Sequence, residues 1–351
     1  MIDDSLSFDG YTPASQPLGA AEKIFASLAG ALAQLGHEVS VFNRCGFPVR
    51  CDGAQWTPLA QANLNNCDLL IAHRKPSLLK MVADADSKAL LVAAPPGYLT
   101  KPKAREAILS TRPHLIFQSQ MQTDDIHPST FDTIADLPRF VMAPAARPSY
   151  LGDRPETQPA APVVTTTAHP RHGLTDILRL WIERIAPDAP TAQLRVYSML
   201  LDHALLGADH DEDIAPCVAM ARLAREHRVT VHRPMGDAAM ADELLSARLH
   251  LHVGQKNDML ALGVHEAQAA GVPVVALPGG AVSERIVDGE TGFIAPDEDA
   301  FVNLARLVIS DDGTHAAAQA AAREQSQKRS WENAARELVE ILQHIGNDRD
   351  Q

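Results

Sequence analysis

The first fifty residues set a pattern that the rest of the chain repeats. Ile24, Phe25, Leu28, Leu32 and Leu35 recur at helical spacing over residues 20–36, and Gly36 supplies a stop. A short apolar run over residues 38–42 follows and reads as a buried strand. Further runs of strand length lie at 67–73, 89–94, 114–118 and 139–143, with helical or loop segments between them. Strands alternating with helices predict a parallel sheet covered on both faces.

Residues 151–162, LGDRPETQPAAP, break this pattern and read as a linker. The alternation then restarts. Strands are expected at 163–167, 194–198, 229–232, 250–253 and 273–277, and helices at 174–185, 214–227, 240–245, 264–270 and 300–310. The chain therefore reads as α/β, with two Rossmann-like halves over residues 1–155 and 156–330. A last helix over 331–344 carries Trp331, Ala334, Leu338, Ile341 and Leu342 on one side. At 351 residues the chain has the length of two ordinary domains.

The most informative stretch is residues 254–293, GQKNDMLALGVHEAQAAGVPVVALPGGAVSERIVDGETGF. Two acids, Asp258 and Glu266, bracket seven residues. A helix of small residues is expected from about Val264, with Glu266 at its start. A buried strand, Gly279-Gly280 and Glu284 follow. This order puts carboxylates and helix N-terminal amides on one rim of a parallel sheet, where sugar hydroxyls and phosphates bind.

The string resembles the nucleotide-sugar signature of the retaining GT-B glycosyltransferases of the family four type, the glycosyl transferases group 1. That signature runs acid, seven residues, Glu-Ala-x-Ala-x-Gly-x-Pro-Val-Val, Gly-Gly, Glu and a Thr-Gly-Phe-like turn. Asp258 stands where Glu is usual. The resemblance implies two Rossmann-like domains facing a central cleft, acceptor side first and nucleotide-sugar side second. Residues 331–351 then either close the second domain or cross back to the first. It also implies a central strand before the first glycine loop. Here Met1-Ile2 runs at once into Asp3-Asp4-Ser5, so that strand is expected to be missing or a stub. Either translation starts upstream, the preferred explanation, or another segment fills the gap.

The site residues follow from the same resemblance. Glu266 would accept hydrogen bonds from both ribose hydroxyls, and Asp258 from the donor sugar's hydroxyls. Backbone amides of Met259, Leu260, Ala261, Leu262 and Gly263 would meet sugar or phosphate. Gly19-Ala20-Ala21-Glu22 resembles the family's Gly-Gly-x-Glu loop beside the donor diphosphate, with Ala20 replacing the second glycine. A glycine there lets backbone amides approach a phosphate. His73 ends the run Asp68-Leu69-Leu70-Ile71-Ala72-His73 and matches a family histidine that would bond a sugar or acceptor hydroxyl. It reads equally well as a structural loop histidine. An Arg and a Lys that clamp the diphosphate in relatives are replaced by Thr167 and His172, leaving Arg171 or Lys256 as the nearest cations.

The implied activity is transfer of a sugar from a nucleotide diphosphate sugar to an acceptor hydroxyl with retention of anomeric configuration. Glycan, lipid-linked and small-molecule acceptors all stay open. No cofactor or metal is expected, because helix dipoles and cations would stabilise the leaving diphosphate. Asp84-Ala85-Asp86 and Asp297-Glu298-Asp299 resemble the metal-binding Asp-x-Asp of another glycosyltransferase fold, but both read as solvated turns. His203, His210 and the acids at 211–213 fit no ligand spacing. The rival class is a non-catalytic GT-B relative that binds a nucleotide sugar or a partner protein. An epimerase would need extra acid/base carboxylates, and none stands out.

Composition narrows the partners. The net charge is −13, and residues 1–155 are near neutral, so the excess lies in the second half. Nucleic acid is thereby disfavoured. A weak peripheral contact of the first half with an anionic membrane stays open. No apolar run reaches membrane-helix length, and the start MIDDSLSFDG is no signal peptide. The cysteines, Cys45, Cys51, Cys67 and Cys217, show no C-x-x-C spacing and fit free thiols in a reducing cytoplasm.

Overall fold

The structure, a computed structural model, describes residues 1–64, 66–124, 126–152 and 161–347, with side chains as far as Leu342. Most of the expected linker, residues 153–160, lies outside the described residues. The chain forms two compact units. One comprises Met1–Ala14, Leu18–Ala145 and Ser330–Gln351, and the other Ser15–Pro17 and Ala146–Arg329.

Among the described residues the first unit holds seven strands: β1 (Ser40–Asn43), β2 (Val49–Cys51), β3 (Ala54–Pro58), β4 (Cys67–His73), β5 (Ala85–Leu91), β6 (His114–Phe117) and β7 (Arg139–Val141). β4, β5, β6 and β7 pair in that order, all parallel. β1 runs parallel to β3, and β2 returns antiparallel to β3. The β2–β3 turn is Asp52-Gly53, both at positive φ (48° and 86°). Two such residues give the hairpin turn whose twist matches that of the strands. β5 begins earlier than the apolar pattern predicts. Asp86 therefore sits in a strand rather than a turn, next to Ala85, which pairs with Cys67.

The expected gap at the centre of this sheet is filled by the chain's own first residues. Ile2 forms parallel bridges to both Phe42 in β1 and Ala72 in β4. Its N–H donates to the Ile71 carbonyl at 2.9 Å, and its carbonyl accepts from His73 N–H at 3.0 Å. On the other side Phe42 N–H donates to Met1 at 2.9 Å, and Asp3 N–H to Phe42 at 3.0 Å. The stub is short, but it satisfies the ladder groups that β1 and β4 would otherwise bury unpaired. The Ile2 side chain is fully buried with Leu70, Ala72 and Leu90.

The helix Ala20–Gln34 is buried on almost every side, including Ile24, Phe25 and Leu28. Phe25 joins Phe8 and Trp56 edge-to-face and stacks on His73 at 5.0 Å. The last helix, Trp331–Asn347, packs against Ala20–Gln34. Trp331, Ala334 and Leu338 are its buried side, so the apolar stripe read from the sequence is the packed one.

Among the described residues the second unit is built on a six-stranded, all-parallel sheet. Its strands are β8 (Val163–Thr166), β9 (Gln193–Tyr197), β10 (Val229–His232), β11 (Leu249–Val253), β12 (Val274–Leu277) and β13 (Gly292–Ile294). The order is β10-β9-β8-β11-β12-β13. Counting from β8 this is the doubly-wound order 3-2-1-4-5-6, whose winding reverses between β8 and β11. Trp181, Leu194, Leu251 and Phe301 belong to one buried cluster, and Val264, Ala267, Val274 and Ala276 to another.

The Ile2 bridge yields a stability prediction. Ile2→Ala removes a fully buried side chain at the sheet centre and should cost about 2–5 kcal/mol. Urea denaturation of the first unit's transition measures it. A loss under about 0.5 kcal/mol would show that β1 and β4 do not depend on the stub for packing.

Candidate functional site

The reversal between β8 and β11 fixes where the second unit's chemistry-bearing loops gather. Ligands of open α/β sheets bind outside the carboxyl ends of the strands at such a point. The loop after β8 holds Thr167, Arg171, His172 and Gly173, and the loop after β11 runs over 254–261. They press closely together. A Cβ on Gly263 would lie 2.6 Å from Thr167 Oγ1, and one on Gly173 (φ +79°) would lie 2.6 Å from the Val253 Cβ. The Gly279-Gly280 turn packs against the same loop. A Cβ on Gly280 would meet the Asp258 carbonyl at 2.2 Å, and one on Gly254 the Gly279 nitrogen at 2.6 Å. The glycines of the 254–280 string thus allow three backbone segments to touch at the strand ends.

Asp258 organises this loop. Its Oδ1 accepts from Ala261 N–H at 2.8 Å, and its Oδ2 lies 3.1 Å from His252 Nε2. Its carbonyl accepts from Ala281 N–H at 2.8 Å. Burial works to raise the Asp258 pKa, but bonds from His252 and from the Ala261 and Leu260 amides outweigh it and hold the carboxyl below its usual range. A carboxylate has about four acceptor positions, and three are taken. Asp258 can therefore accept one ligand hydroxyl rather than several, which narrows the role expected from sequence.

The helix Leu262–Ala269 begins two residues earlier than expected. Glu266 consequently sits in the second turn, not at the helix start, and dipole stabilisation is not its main function. It is half-buried, and its charge acts on the Tyr150 hydroxyl. Burial, Glu266 and Asp237 together push the Tyr150 pKa up. Tyr150 donates to Asp237 at 2.8 Å, and Arg147 pairs with the same carboxylate at 3.2 Å. Ala261 precedes the helix in the left-handed region (φ 44°). Among the described residues the amides of Leu262, Gly263 and Val264 have no hydrogen-bond partner, as expected for the first turn of a helix. Met259 is buried and its amide bonds Asn257.

The expected phosphate cations fare differently. Arg171 is bound to Asp211 and Asp213 on the segment before the helix Ala215–Ala224. As a diphosphate clamp it would first have to leave those two carboxylates. Asp211 and Asp213, which fit no metal-ligand spacing in the sequence, are ion-pair partners. His172 is exposed beside His169, with ring centroids 5.3 Å apart. Lys256 is exposed on the loop itself. A cation not anticipated from sequence lies beneath it: Arg285 is buried and its Nε donates to the Leu260 carbonyl at 3.2 Å. Burial lowers its pKa to about 10, against the pull of Glu284 and Asp258, so it stays charged at neutral pH.

The first unit has its own reversal, between the Ile2 stub and β4, and there Asp3 meets His73. The pair is buried, with Nδ1 to Oδ1 at 2.9 Å. Ser5 donates twice to the other oxygen, at 2.7 Å and 3.1 Å. Burial opposes ionisation of Asp3, but these bonds from His73 and Ser5 hold its pKa below the usual value. A carboxylate only accepts, so Nδ1 carries the proton, and in the neutral ring Nε2 is left as an acceptor. Nε2 is buried with no partner among the described residues. Gly19 caps the helix Ala20–Gln34, and a Cβ there would stand 2.5 Å from Glu22 Oε2. The glycine thus makes room for the protein's own carboxylate, which Arg74 pairs at 2.8 Å. Ala20 is the first helical residue.

Among the described residues no group of three His, Cys, Asp or Glu is placed to hold a metal, and no helix is long and apolar enough to cross a membrane. Asp297 caps the helix Glu298–Ser310 by accepting from Ala300 N–H, while Glu298 and Asp299 pair with Arg179 and Arg184.

Comparison with known proteins agrees with this geometry. The family model described as Glycosyl transferases group 1 matches residues 162–311. A D-inositol 3-phosphate glycosyltransferase of Streptomyces avermitilis is 28% identical over 182 residues, 47% of this chain and 39% of that protein. One from Xylanimonas cellulosilytica is 31% identical over 116 residues, 32% and 28% respectively. The matched region thus spans well under half the length of these relatives. Among solved structures, a sucrose-phosphate synthase from Thermosynechococcus elongatus superposes with a TM-score of 0.70 at 14% identity, covering 98% of both chains. An E. coli structure described as trehalose-6-phosphate bound with UDP-2-fluoro glucose also gives 0.70, at 10% identity, covering 97% of this chain and 98% of that one. Residues 162–311, most of the second unit, are therefore a glycosyl transferases group 1 domain, in a chain whose fold is that of the GT-B glycosyltransferases.

Proposed function

We propose that this protein transfers a sugar from a nucleotide diphosphate sugar to an acceptor hydroxyl, with retention at the anomeric carbon. One observation carries the reading: the 3-2-1-4-5-6 winding of the second sheet brings the Asp258 loop and the start of Leu262–Ala269 to the strand reversal, inside the segment the family model matches. Fold relatives solved with UDP, among them an Anabaena protein with UDP and glucose, support a nucleotide diphosphate as part of the donor. Glu266 would bind the ribose and Asp258 one sugar hydroxyl. The unpartnered first-turn amides would meet the diphosphate, since helix N-termini favour anions.

The chemistry suits a front-face displacement. The leaving diphosphate takes the acceptor proton, and amides and cations stabilise the charge that grows on it. On the acceptor side His73 offers Nε2 to a hydroxyl, held in one tautomer by Asp3. No metal is assigned a role. The acceptor is a glycan, a lipid-linked sugar or a small molecule. The commitment of Arg171 to Asp211 and Asp213 favours a second reading, nucleotide-sugar binding without transfer.

Thermal-shift screening against UDP-, GDP- and ADP-sugars tests the donor directly, because a ligand that binds only the folded state raises Tm by mass action. Stabilisation by none of them would remove both readings. Glu266→Ala should weaken binding of the stabilising donor by about 1–3 kcal/mol, the worth of charge-assisted hydrogen bonds. Unchanged affinity by calorimetry in a folded variant rejects the ribose role.

A cation acting on the departing diphosphate should affect turnover more than donor affinity. Arg171→Ala and Lys256→Ala, singly and together, should therefore lower kcat at saturating donor. A double variant with wild-type kcat shows that neither residue is the clamp. Donor binding without transfer by the wild type selects the non-catalytic reading.

A further inference from the structure

β11 reads Leu-His-Leu-His-Val, and a parallel strand buried on both faces ordinarily has little use for two histidines. Side chains two residues apart share one face of a strand, so His250 and His252 point the same way. His250 is fully buried, with Nδ1 3.1 Å from Thr165 Oγ1 on the adjacent β8. Burial, with a smaller effect of the neighbouring His252, drives its pKa down to about 3. It is a neutral core group. His252 stands at the strand's carboxyl end and differs in what it reaches. The loop after β11 turns back on itself within six residues, and the Asp258 carboxylate returns to His252 Nε2 at 3.1 Å.

We propose that His252 is a positioning residue for the donor sugar: through its Nε2–H bond to Oδ2 it fixes the Asp258 carboxylate so that one remaining lone pair faces the sugar. The inference rests on the nucleotide-sugar reading above and names the device that gives Asp258 its direction. The carboxylate is anchored from two sides. The Ala261 and Leu260 amides hold it from the helix side, Ala261 at Oδ1, and His252 holds Oδ2 from the strand side. His252 is the anchor that ties it across the strand-to-helix loop. Asp258 remains 28% exposed while His252 is 12% exposed, so the carboxylate has an open side and its anchor faces inward.

Side-chain length fits the same account. A Glu at 258 would carry its carboxylate one methylene further from the backbone. It could not cap Ala261 and reach His252 from the same position. The aspartate, where the family signature has Glu, and the strand-end histidine therefore form a matched pair. A neutral imidazole suffices for this bond, because a carboxylate partner places the proton on Nε2.

The test uses the full-length protein with UDP-, GDP- and ADP-glucose and the bare diphosphates UDP, GDP and ADP. Calorimetry gives the affinity that the glucose adds to the diphosphate in the wild type, His252→Leu, His252→Ala and His252→Gln. The proposal expects the Leu and Ala variants to bind the bare diphosphate as the wild type does. They should lose about tenfold or more of the glucose increment, the scale of one hydrogen bond to a charged group. Gln, which can donate from a similar reach, should recover the increment to within about threefold. In an Asp258→Ala background His252→Leu should have no further effect, as expected for two residues acting as one unit. A full glucose increment in either folded apolar variant overturns the proposal. So does equal loss of bare diphosphate, failure of Gln to rescue, or an additive effect with Asp258→Ala. A wild type that binds none of the probes overturns the nucleotide-sugar reading and this proposal with it. In every other failure wild-type binding is intact, so the two are told apart.

Discussion

A parallel sheet cannot leave its centre open, and in the first unit that requirement falls on Ile2. β1 and β4 each present ladder groups to the space between them, and burying such groups unpaired costs about 1–3 kcal/mol apiece. The backbone of residues 1–3 supplies the four bonds that close the space, and the Ile2 side chain fills the layer beneath. Everything nearby follows from that placement. Asp3, the next residue, lands at the strand ends beside His73. Phe25 stacks on the other face of that imidazole and ties the helix Ala20–Gln34 to the same point. The Trp331–Asn347 helix in turn packs on Ala20–Gln34.

The two units solve one topological problem with different materials. Each winds outward in both directions from adjacent central strands, and each exposes strand ends where the winding reverses. In the first unit the crevice is lined by side chains: a carboxylate, an imidazole with one unpartnered nitrogen, and the Arg74–Glu22 pair. In the second it is lined largely by backbone. Glycines at 254, 263, 279 and 280 bring main chain against main chain or against Thr167 at distances no Cβ would tolerate. That arrangement suits anion recognition by amides, which need close approach, whereas the first suits hydroxyl recognition by a single acceptor.

Much of this was legible in the sequence. The strands β4, β6 and β8 to β12 announce themselves as short apolar runs. The 254–293 string gave the site's order of loop, helix, strand and glycine turn because backbone geometry constrains it so tightly. A stub at Met1-Ile2 was one of the two outcomes the sequence left open, but the neighbours Ile2 bridges were not legible, because a bridge of one residue has no period to read. The β2–β3 hairpin was missed although Asp52-Gly53 is a strong turn signal; strands of three and five residues are short beside it. The Arg171 pairing joins residues about forty apart across a loop, and no local pattern encodes that. Asp3 as the partner of His73 is separated from it by seventy positions. His252 had a visible signal, an imidazole in an otherwise aliphatic strand, yet only the fold of the following loop shows what it holds.

The electrostatics of the second crevice follow from these separate placements. With Arg171 occupied by two aspartates, positive potential at the strand ends must come from other sources. The first-turn amides of Leu262–Ala269 carry a partial positive charge. Arg285 adds a full charge from beneath the loop, where burial lowers its pKa but leaves it ionised at neutral pH. Lys256 adds an exposed charge on the loop, screened by solvent. Against these, the Asp258 carboxylate is ionised and hydrogen-bonded on both oxygens. On the proposed reading that carboxylate, fixed from the strand by His252 and from the helix by Ala261, addresses the sugar while the first-turn amides address the diphosphate, so the two chemistries stay on separate groups of the same loop.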